Sequence, residues 1–323
     1  MIAAVCITRN AEETLPRALD SVAPYVDLIV ALMAGESTDR TEDILVDYGT
    51  CYEKAEWQDD FALARNQAFD VARRAGATWA ILFDSDDIVC SGDNLRGLVA
   101  KLETAGASGA YLRIVFGNLR YYQKRVFNLT RPGKWICRVH EVYTSDAGDM
   151  WPQSPECEIL HIRGLERQTP NRNMQIFEKW MAEAPQEWDA RTYYNYGNEL
   201  YWHGKWMDAA RIYGISVALP QWKDERYFAH IRRGECYMEI QAWQAAWKEL
   251  MDAAQIKPTW KDAYLRLSRL YFKMGLYALA LGTSEFAEKQ AIPDTIHPIN
   301  HAVYKEQKIW DDKARKLLAQ RSG

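Results

Sequence analysis

Apolar positions in the first half of the chain keep two alternating rhythms. Mostly apolar runs at residues 2–7, 26–32 and 78–83 are too short for core helices and read as buried strands. Between them apolar residues return at helical spacing. Leu15, Leu19 and Val22 share one face, and Phe61, Ala64, Ala68, Val71 and Ala72 share another, in a helix expected over 60–75 and closed by Gly76. In "AGESTDRTEDIL", Asp39 is placed to cap a helix whose third position, Glu42, can reach back to it. Residues 93–102 read as another helix. "GAYLRIVFGN", "LRYYQKRVFNL", "RVHEVYTS" and "ECEILHIRG" read as further strands with antiparallel pairing. Alternation of this kind builds an α/β sheet.

From about residue 190 the strand rhythm stops and a repeat replaces it. Gly197, Gly234 and Ser268 recur about every 35 residues. Each is followed at fixed offsets by Trp206, Trp243 or Tyr277, by Ala209, Ala246 or Ala280, and by Ser216, Ala253 or Ala287. Pro220, Pro258 and Pro293 lie near the unit ends. Small residues where paired helices would touch, with a proline at each boundary, resemble the tetratricopeptide repeat. The first unit carries three extra residues, and the last has Ser in place of Gly. Met174, Phe177 and Met181 mark a linking helix over 171–184, and "KIWDDKARKLLAQRSG" reads as a basic capping helix. The expected division is 1–165 for the α/β domain, 166–189 for the link and 190–323 for the repeats.

At 323 residues the chain has room for two domains, and 48% hydrophobic with 26% charged residues is a soluble globular composition. The formal charge of -4 gives no global attraction for nucleic acid. Six scattered cysteines without a CxxC pair read as reduced thiols. The N-terminus lacks a basic leader, and no run approaches the roughly 20 apolar residues of a membrane helix. A cytoplasmic location is the expectation.

The chemistry concentrates where the strand "WAILF" ends in Asp84-Ser85-Asp86-Asp87. Clustered carboxylates repel one another unless a positive group sits among them, and hard oxygen ligands suit Mg²⁺ or Mn²⁺. A D-x-D alone is a weak signal. Together with "ITRNAE" after the first strand, "STDRT" and "DDFALARN", it resembles family 2 glycosyltransferases of the GT-A fold, in the subgroup fused to tetratricopeptide repeats. The resemblance covers essentially the whole chain. It implies an α/β, Rossmann-like GT-A domain followed by an all-α repeat domain, and a metal-dependent, inverting transfer of a sugar from a nucleotide-sugar, normally a UDP-sugar, to a large acceptor.

On that resemblance Asp86 ligates Mn²⁺ or Mg²⁺, Asp84 bonds the ribose or ligates through water, and His161 is assigned as a third ligand. Glu141 is the candidate general base in "HE", with His140 and Asp87 as competitors. Thr8 and Asn10 on the first turn, Asp60 and Arg65 on the helix, and Arg125 complete the expected donor contacts. Arg65 serves either to hold the diphosphate or to position the acidic cluster. The family's usual acidic residue at the end of the second strand is missing from "VALMAGES", leaving Glu36 or Asp39 for the nucleobase.

Most of the tryptophans read as core, including Trp79, Trp206 and Trp243, whereas Trp57, Trp135 and Trp151 are placed to stack on sugar. Relatives of this architecture act on peptide cysteine or serine, or on modified DNA bases. For a DNA acceptor the basic groove would comprise Arg113, Arg120, Lys124, Arg125, Arg131 and Lys134. The repeats could instead position a peptide or form a homodimer. The contrasting reading is an interaction scaffold with a degenerate transferase domain, in which Asp84, Asp86, Glu141 and His161 need not converge.

Overall fold

The apolar runs become the centre of an eight-stranded sheet in the computed structural model, which describes residues 1–117, 119–146, 148–162, 171–293 and 302–321. The first unit, Met1–Arg172, holds β1 (Ile2–Thr8), α1 (Leu15–Val22), β2 (Leu28–Ala34), α2 (Thr41–Asp47), β3 (Cys51–Ala55), α3 (Phe61–Arg74), β4 (Trp79–Leu82), β5 (Asp87–Cys90), α4 (Leu95–Thr104), β6 (Gly109–Phe116), β7 (Leu119–Asn128), β8 (Gly133–Ile136), β9 (Val142–Ser145) and β10 (Gln153–His161). The main sheet runs β3-β2-β1-β4-β7-β6-β10-β5, and β8 and β9 form a separate pair. β1 to β4 are mutually parallel, so their carboxyl ends share one edge. Ligand sites of open α/β sheets gather at that edge.

Burial explains the order. Ala3, Ala4, Val5 and Cys6 of β1 and Ala80 and Ile81 of β4 are fully enclosed, because helices cover both faces of the sheet. Leu15, Leu19 and Val22 of α1 pack on one face, and Ala64, Ala68, Val71 and Ala72 of α3 on the other. The second strand begins two residues later than its apolar run implied, since Val26 closes a turn. The polar edge strand β3 and the four-residue strands β5 and β8 gave no apolar run long enough to read. β10 pairs parallel with β6 and antiparallel with β5, where purely antiparallel pairing was expected.

The second unit, Asn173–Gly323, is helical. It contains nearly all of α5 (Arg172–Glu183), then α6 (Ala190–Trp202), α7 (Trp206–Ala218), α8 (Lys223–Glu239), α9 (Trp243–Ile256), α10 (Lys261–Lys273), α11 (Tyr277–Glu288) and α12 (Ala302–Arg321). Three helical hairpins of tetratricopeptide type follow one another, with α12 packed on α10 and α11. Met174 and Phe177 of the expected linking helix, α5, pack within the first hairpin, Phe177 against Trp188 and Tyr196. The expected boundary at 165 lies outside the described residues.

The repeated small residues are close-approach points. A Cβ on Gly197 would stand 2.6 Å from the Tyr213 ring, and one on Gly234 would stand 2.9 Å from Leu250. The serine that departs from this pattern has its own use: Ser268 Oγ donates to the Ala280 carbonyl and accepts from Gln307 of α12, tying the end cap to the last hairpin. Gly197→Ala should therefore destabilise. Overpacking costs roughly 1–3 kcal/mol, against about 1 kcal/mol gained in helix propensity. Gly282→Ala, in open space on α11, should raise stability instead. Thermal melts of the two variants check this pair, and equal shifts of one sign would contradict it.

Candidate functional site

Behind β4 the chain leaves the sheet at Phe83 and turns through Asp84–Asp87, closed by the Asp87 amide donating to the Asp84 carbonyl at 2.9 Å. β5 then starts at Asp87, which faces His161 of β10 as its direct register partner. Two segments far apart in sequence are thus pinned by one strand pairing, and the Ile162 amide adds a bond to the Asp86 carbonyl at 2.9 Å.

The charged side chains here form a ladder of alternating sign. Arg65 Nε donates to Glu141 Oε1 at 2.6 Å, and its Nη2 to Asp84 Oδ1 at 3.0 Å. Arg125 Nη2 takes the other Asp84 oxygen at 3.1 Å, and its Nη1 lies 3.2 Å from Asp87 Oδ2. Asp87 Oδ1 meets His161 Nδ1 at 2.8 Å, and His161 Nε2 stands 3.7 Å from Asp86 Oδ2. Arg65 is 8% exposed, Arg125 5% and Asp87 0%, so the ladder's middle is dry and its Glu141 and Asp86 ends reach solvent.

Burial and partners set the acidities. Burial opposes ionisation of Asp84, but Arg65 and Arg125 outweigh it and hold the carboxyl far below its usual range. Burial and the nearby Asp84 and Asp87 push Asp86 up to about 6, against the pull of His161. His161 is raised, first by its hydrogen bond to Asp87. Among the described residues no arginine meets Asp86. It is the carboxylate of the four that lacks a fixed positive partner.

Asp86, Asp87 and His161 offer ligand atoms within 4.8 Å of one another. The cation group expected from sequence was Asp84, Asp86 and His161. Asp84 stands outside the observed group because two guanidiniums already take both its oxygens. Asp87 is enclosed and both its oxygens are already partnered, so Asp86 and His161 Nε2 are the atoms of this group left to a cation. A carboxylate with an imidazole fits Mn²⁺ more readily than Mg²⁺, and the raised Asp86 is a group whose ionisation a cation would favour. His230, Glu249 and Asp252 of the repeats also cluster, but Arg233 bonds Glu249 and Lys248 bonds Asp252, both at 2.8 Å, so that cluster is already neutralised.

The expected base pair of residues sits differently from the strand reading. Residues 137–141 form a bend between β8 and β9, with Cys137 and His140 at positive φ. His140 is exposed, while Glu141 is half-buried against Arg65. Asp87 cannot serve as a base, because its enclosed oxygens are occupied by His161, Arg125 and the Asp84 amide.

The first two loops are laced together. Asn10, at φ 47°, accepts from the Thr38 amide at 2.8 Å while its own amide donates to Ser37 Oγ at 3.1 Å. Asp39 accepts from the Glu12 and Thr41 amides, both at 3.0 Å, in place of the expected reciprocal cap. Glu42 instead accepts from Tyr52 and Lys54. Glu36 is exposed, with its carbonyl on Arg9. Asp60 caps α3 through the Leu63 amide at 2.9 Å. Thr8 is buried, and its hydroxyl has no hydrogen-bond partner among the described residues; the same is true of Arg65 Nη1 and Trp135 Nε1.

Of the tryptophans placed for sugar stacking, Trp135 is buried beneath Arg65, 5.4 Å from ring centroid to guanidinium, and Asn66 clamps its backbone at 2.9 and 2.8 Å. Trp151 packs on Phe127 and Tyr143 under Lys124. Trp57 is half-buried and edges onto Phe61. The basic groove does not form as expected. Arg113 pairs with Glu158, Arg131 with Asp149, Lys124 covers Trp151, and Arg125 lies inside the ladder. Asn66 and the structural use of Asp87 were missed from sequence. Asn66 lay inside the quoted "DDFALARN", and nothing local marked its partner.

The family model described as Glycosyl transferase family 2 matches residues 4–168. A TPR repeat-containing protein of Synechococcus elongatus is 28% identical over 312 residues, covering 88% of this chain and 73% of that protein. Among solved structures, the Saccharomyces cerevisiae Hsp90 co-chaperone Cns1 is 22% identical over 41% of this chain and 41% of its own, with a TM-score of 0.35. The Arabidopsis OM64 TPR domain is 18% identical over 39% of this chain and 94% of its own, with a TM-score of 0.32.

Proposed function

The chain belongs to glycosyl transferase family 2, and from that premise we propose that it is an active, cation-assisted, inverting enzyme that moves a sugar from a nucleoside-diphosphate donor to an acceptor presented with the help of its repeats. The observation that carries this is the ladder. A scaffold with a degenerate site has no need to keep Glu141, Asp84, Asp87, Asp86 and His161 in one alternating series around two buried arginines.

Asp86 and His161 Nε2 would hold the cation. When bound it supplies Lewis-acid neutralisation of the charge that builds on the departing diphosphate. Arg65 and Arg125 spend themselves on Asp84 and so shape the turn rather than grip phosphate. Among the described residues Arg65 Nη1 has no hydrogen-bond partner, which leaves one donor of the guanidinium for a ligand. Glu141, aimed by Arg65, takes the proton from the acceptor as it attacks the anomeric carbon on the face opposite the nucleotide, which inverts that centre. UDP is the favoured donor nucleotide on family grounds. The acceptor is a peptide or glycan in preference to DNA, since four of the six groove cations are engaged within the protein.

The test is thermal stability with UDP, GDP or CMP, each with and without Mn²⁺. A stabilisation selective for one nucleotide and dependent on Mn²⁺ is expected; no shift with any of them would return the scaffold reading. Proton competition adds a pH signature. Asp86 is raised to about 6 in the fold, so without a cation the stability it contributes falls as pH rises from its unfolded value through 6. The Mn²⁺-dependent gain should run the other way, full well above pH 6 and fading below it. A gain that stays flat across this window would remove Asp86 from the site.

A further inference from the structure

Building on the cation site just proposed, we propose that Asp87 is a positioning residue that fixes which nitrogen of His161 faces the cation. The third acidic residue of the cluster carries every mark of a group that works through a neighbour. Its carboxylate is wholly enclosed, and Oδ2 accepts from the Asp84 amide at 2.9 Å and lies 3.2 Å from Arg125 Nη1. That leaves Oδ1 for the imidazole, at 2.8 Å from Nδ1.

A carboxylate can only accept here, so the neutral ring must carry its proton on Nδ1 and turn the Nε2 lone pair toward Asp86. Phe116 braces the ring edge at a centroid distance of 5.3 Å, and the strand register places Asp87 opposite His161. Partners of this kind fix the orientation of a metal-binding imidazole and raise its basicity; losing one typically costs about 10- to 100-fold in metal affinity. The Asp84-Ser85-Asp86-Asp87 run thereby divides into an arginine-anchored brace, a cation ligand and an orienting group.

Asp87→Asn is the discriminating change because it keeps the shape and reverses the hydrogen bond. The Asn carbonyl is drawn to the position that meets the Asp84 amide and Arg125, so its NH₂ meets Nδ1. The ring then accepts there and holds its proton on Nε2, where the lone pair was. Mn²⁺ titrations of the full chain, read by the electron paramagnetic resonance of free Mn²⁺, should show affinity about 10- to 100-fold weaker than wild type. In a His161→Gln background the same change should add no further loss.

A second measurement needs no variant of Asp87. ¹⁵N NMR of histidine-labelled wild type, with His161 assigned through His161→Gln, should place the neutral proton on Nδ1. Wild-type binding matched by Asp87→Asn, or a wild-type proton on Nε2, overturns the positioning role and leaves the cation site standing. Absence of Mn²⁺ binding by wild type overturns both.

Discussion

Asp86→Ala should lose the cation-dependent stabilisation by nucleotide altogether and slow release of nucleoside diphosphate from the sugar donor about a thousandfold. Lewis-acid assistance is worth several kcal/mol, and each 1.36 kcal/mol is a factor of ten, so roughly three powers of ten is the expected scale. The fold should not suffer. Among the described residues Asp86 has no arginine to strand, its side chain is 30% exposed, and its pKa is raised because ionisation at neutral pH costs something in that crowded position. The ligand-free variant should melt at or above the wild-type temperature, the usual relation between a functional charge and the stability it costs. Melts with Mn²⁺ and nucleotide, alongside a donor-hydrolysis assay, read both halves. A variant that responds to Mn²⁺ and nucleotide as wild type does would refute the assignment.

Arg65→Met carries the opposite signature, a large structural loss. One guanidinium neutralises two carboxylates from a position 8% exposed, and breaking a buried pair by removing one partner typically costs about 3–5 kcal/mol. For a unit of this size the melting temperature should fall by about 10 °C. Arg65→Lys should rescue little, since an ammonium cannot fork between Glu141 and Asp84. Adding Glu141→Gln to Arg65→Met should recover part of the loss by removing the charge that is stranded, since Asp84 keeps Arg125 while Glu141 loses its arginine. The exposed Arg74–Glu53 pair, at 2.6 Å, is the control, and Arg74→Ala should change stability by under about 1 kcal/mol. A denaturation midpoint for Arg65→Met indistinguishable from that of Arg74→Ala would refute the ladder's energetic role.

What could be read from the sequence followed the range of the contacts involved. The repeats were legible because hairpin partners such as Gly197 and Tyr213 lie close in the chain and recur. β1 and β4 were legible because they are enclosed on both faces. Asp39 was read half correctly: its Oδ1 does meet the first amide of α2, but the reciprocal contact fails because Glu42 is drawn to Tyr52 and Lys54 of β3, tertiary competitors with no local sign. "RVHEVYTS" misled because its alternation mimics a strand, while left-handed backbone at Cys137 and His140 breaks the pleat before Val142. Arg65 was read as holding either the diphosphate or the acidic cluster, but which acid each arginine takes, and that His161 meets Asp87, was out of reach, since these partners come from α3, β7 and β10. Which carboxylate faces which cation is decided by strand order together with the seating of α3 on the sheet.

The place of β10 between β6 and β5 sets a schedule for the protein's birth on the ribosome. β5 is made early, yet among the described residues its one partner strand in the sheet is β10, the last strand described in the domain. Until that strand slides in, Asp87 has no histidine opposite it, and β5 and β6 both present unsatisfied edges. A nascent chain that stops short of residue 161 therefore has both arginines and all four carboxylates of the ladder but not the histidine that joins Asp87 to Asp86. Competence arrives at one stroke with the final strand, just as the first repeats begin to be translated.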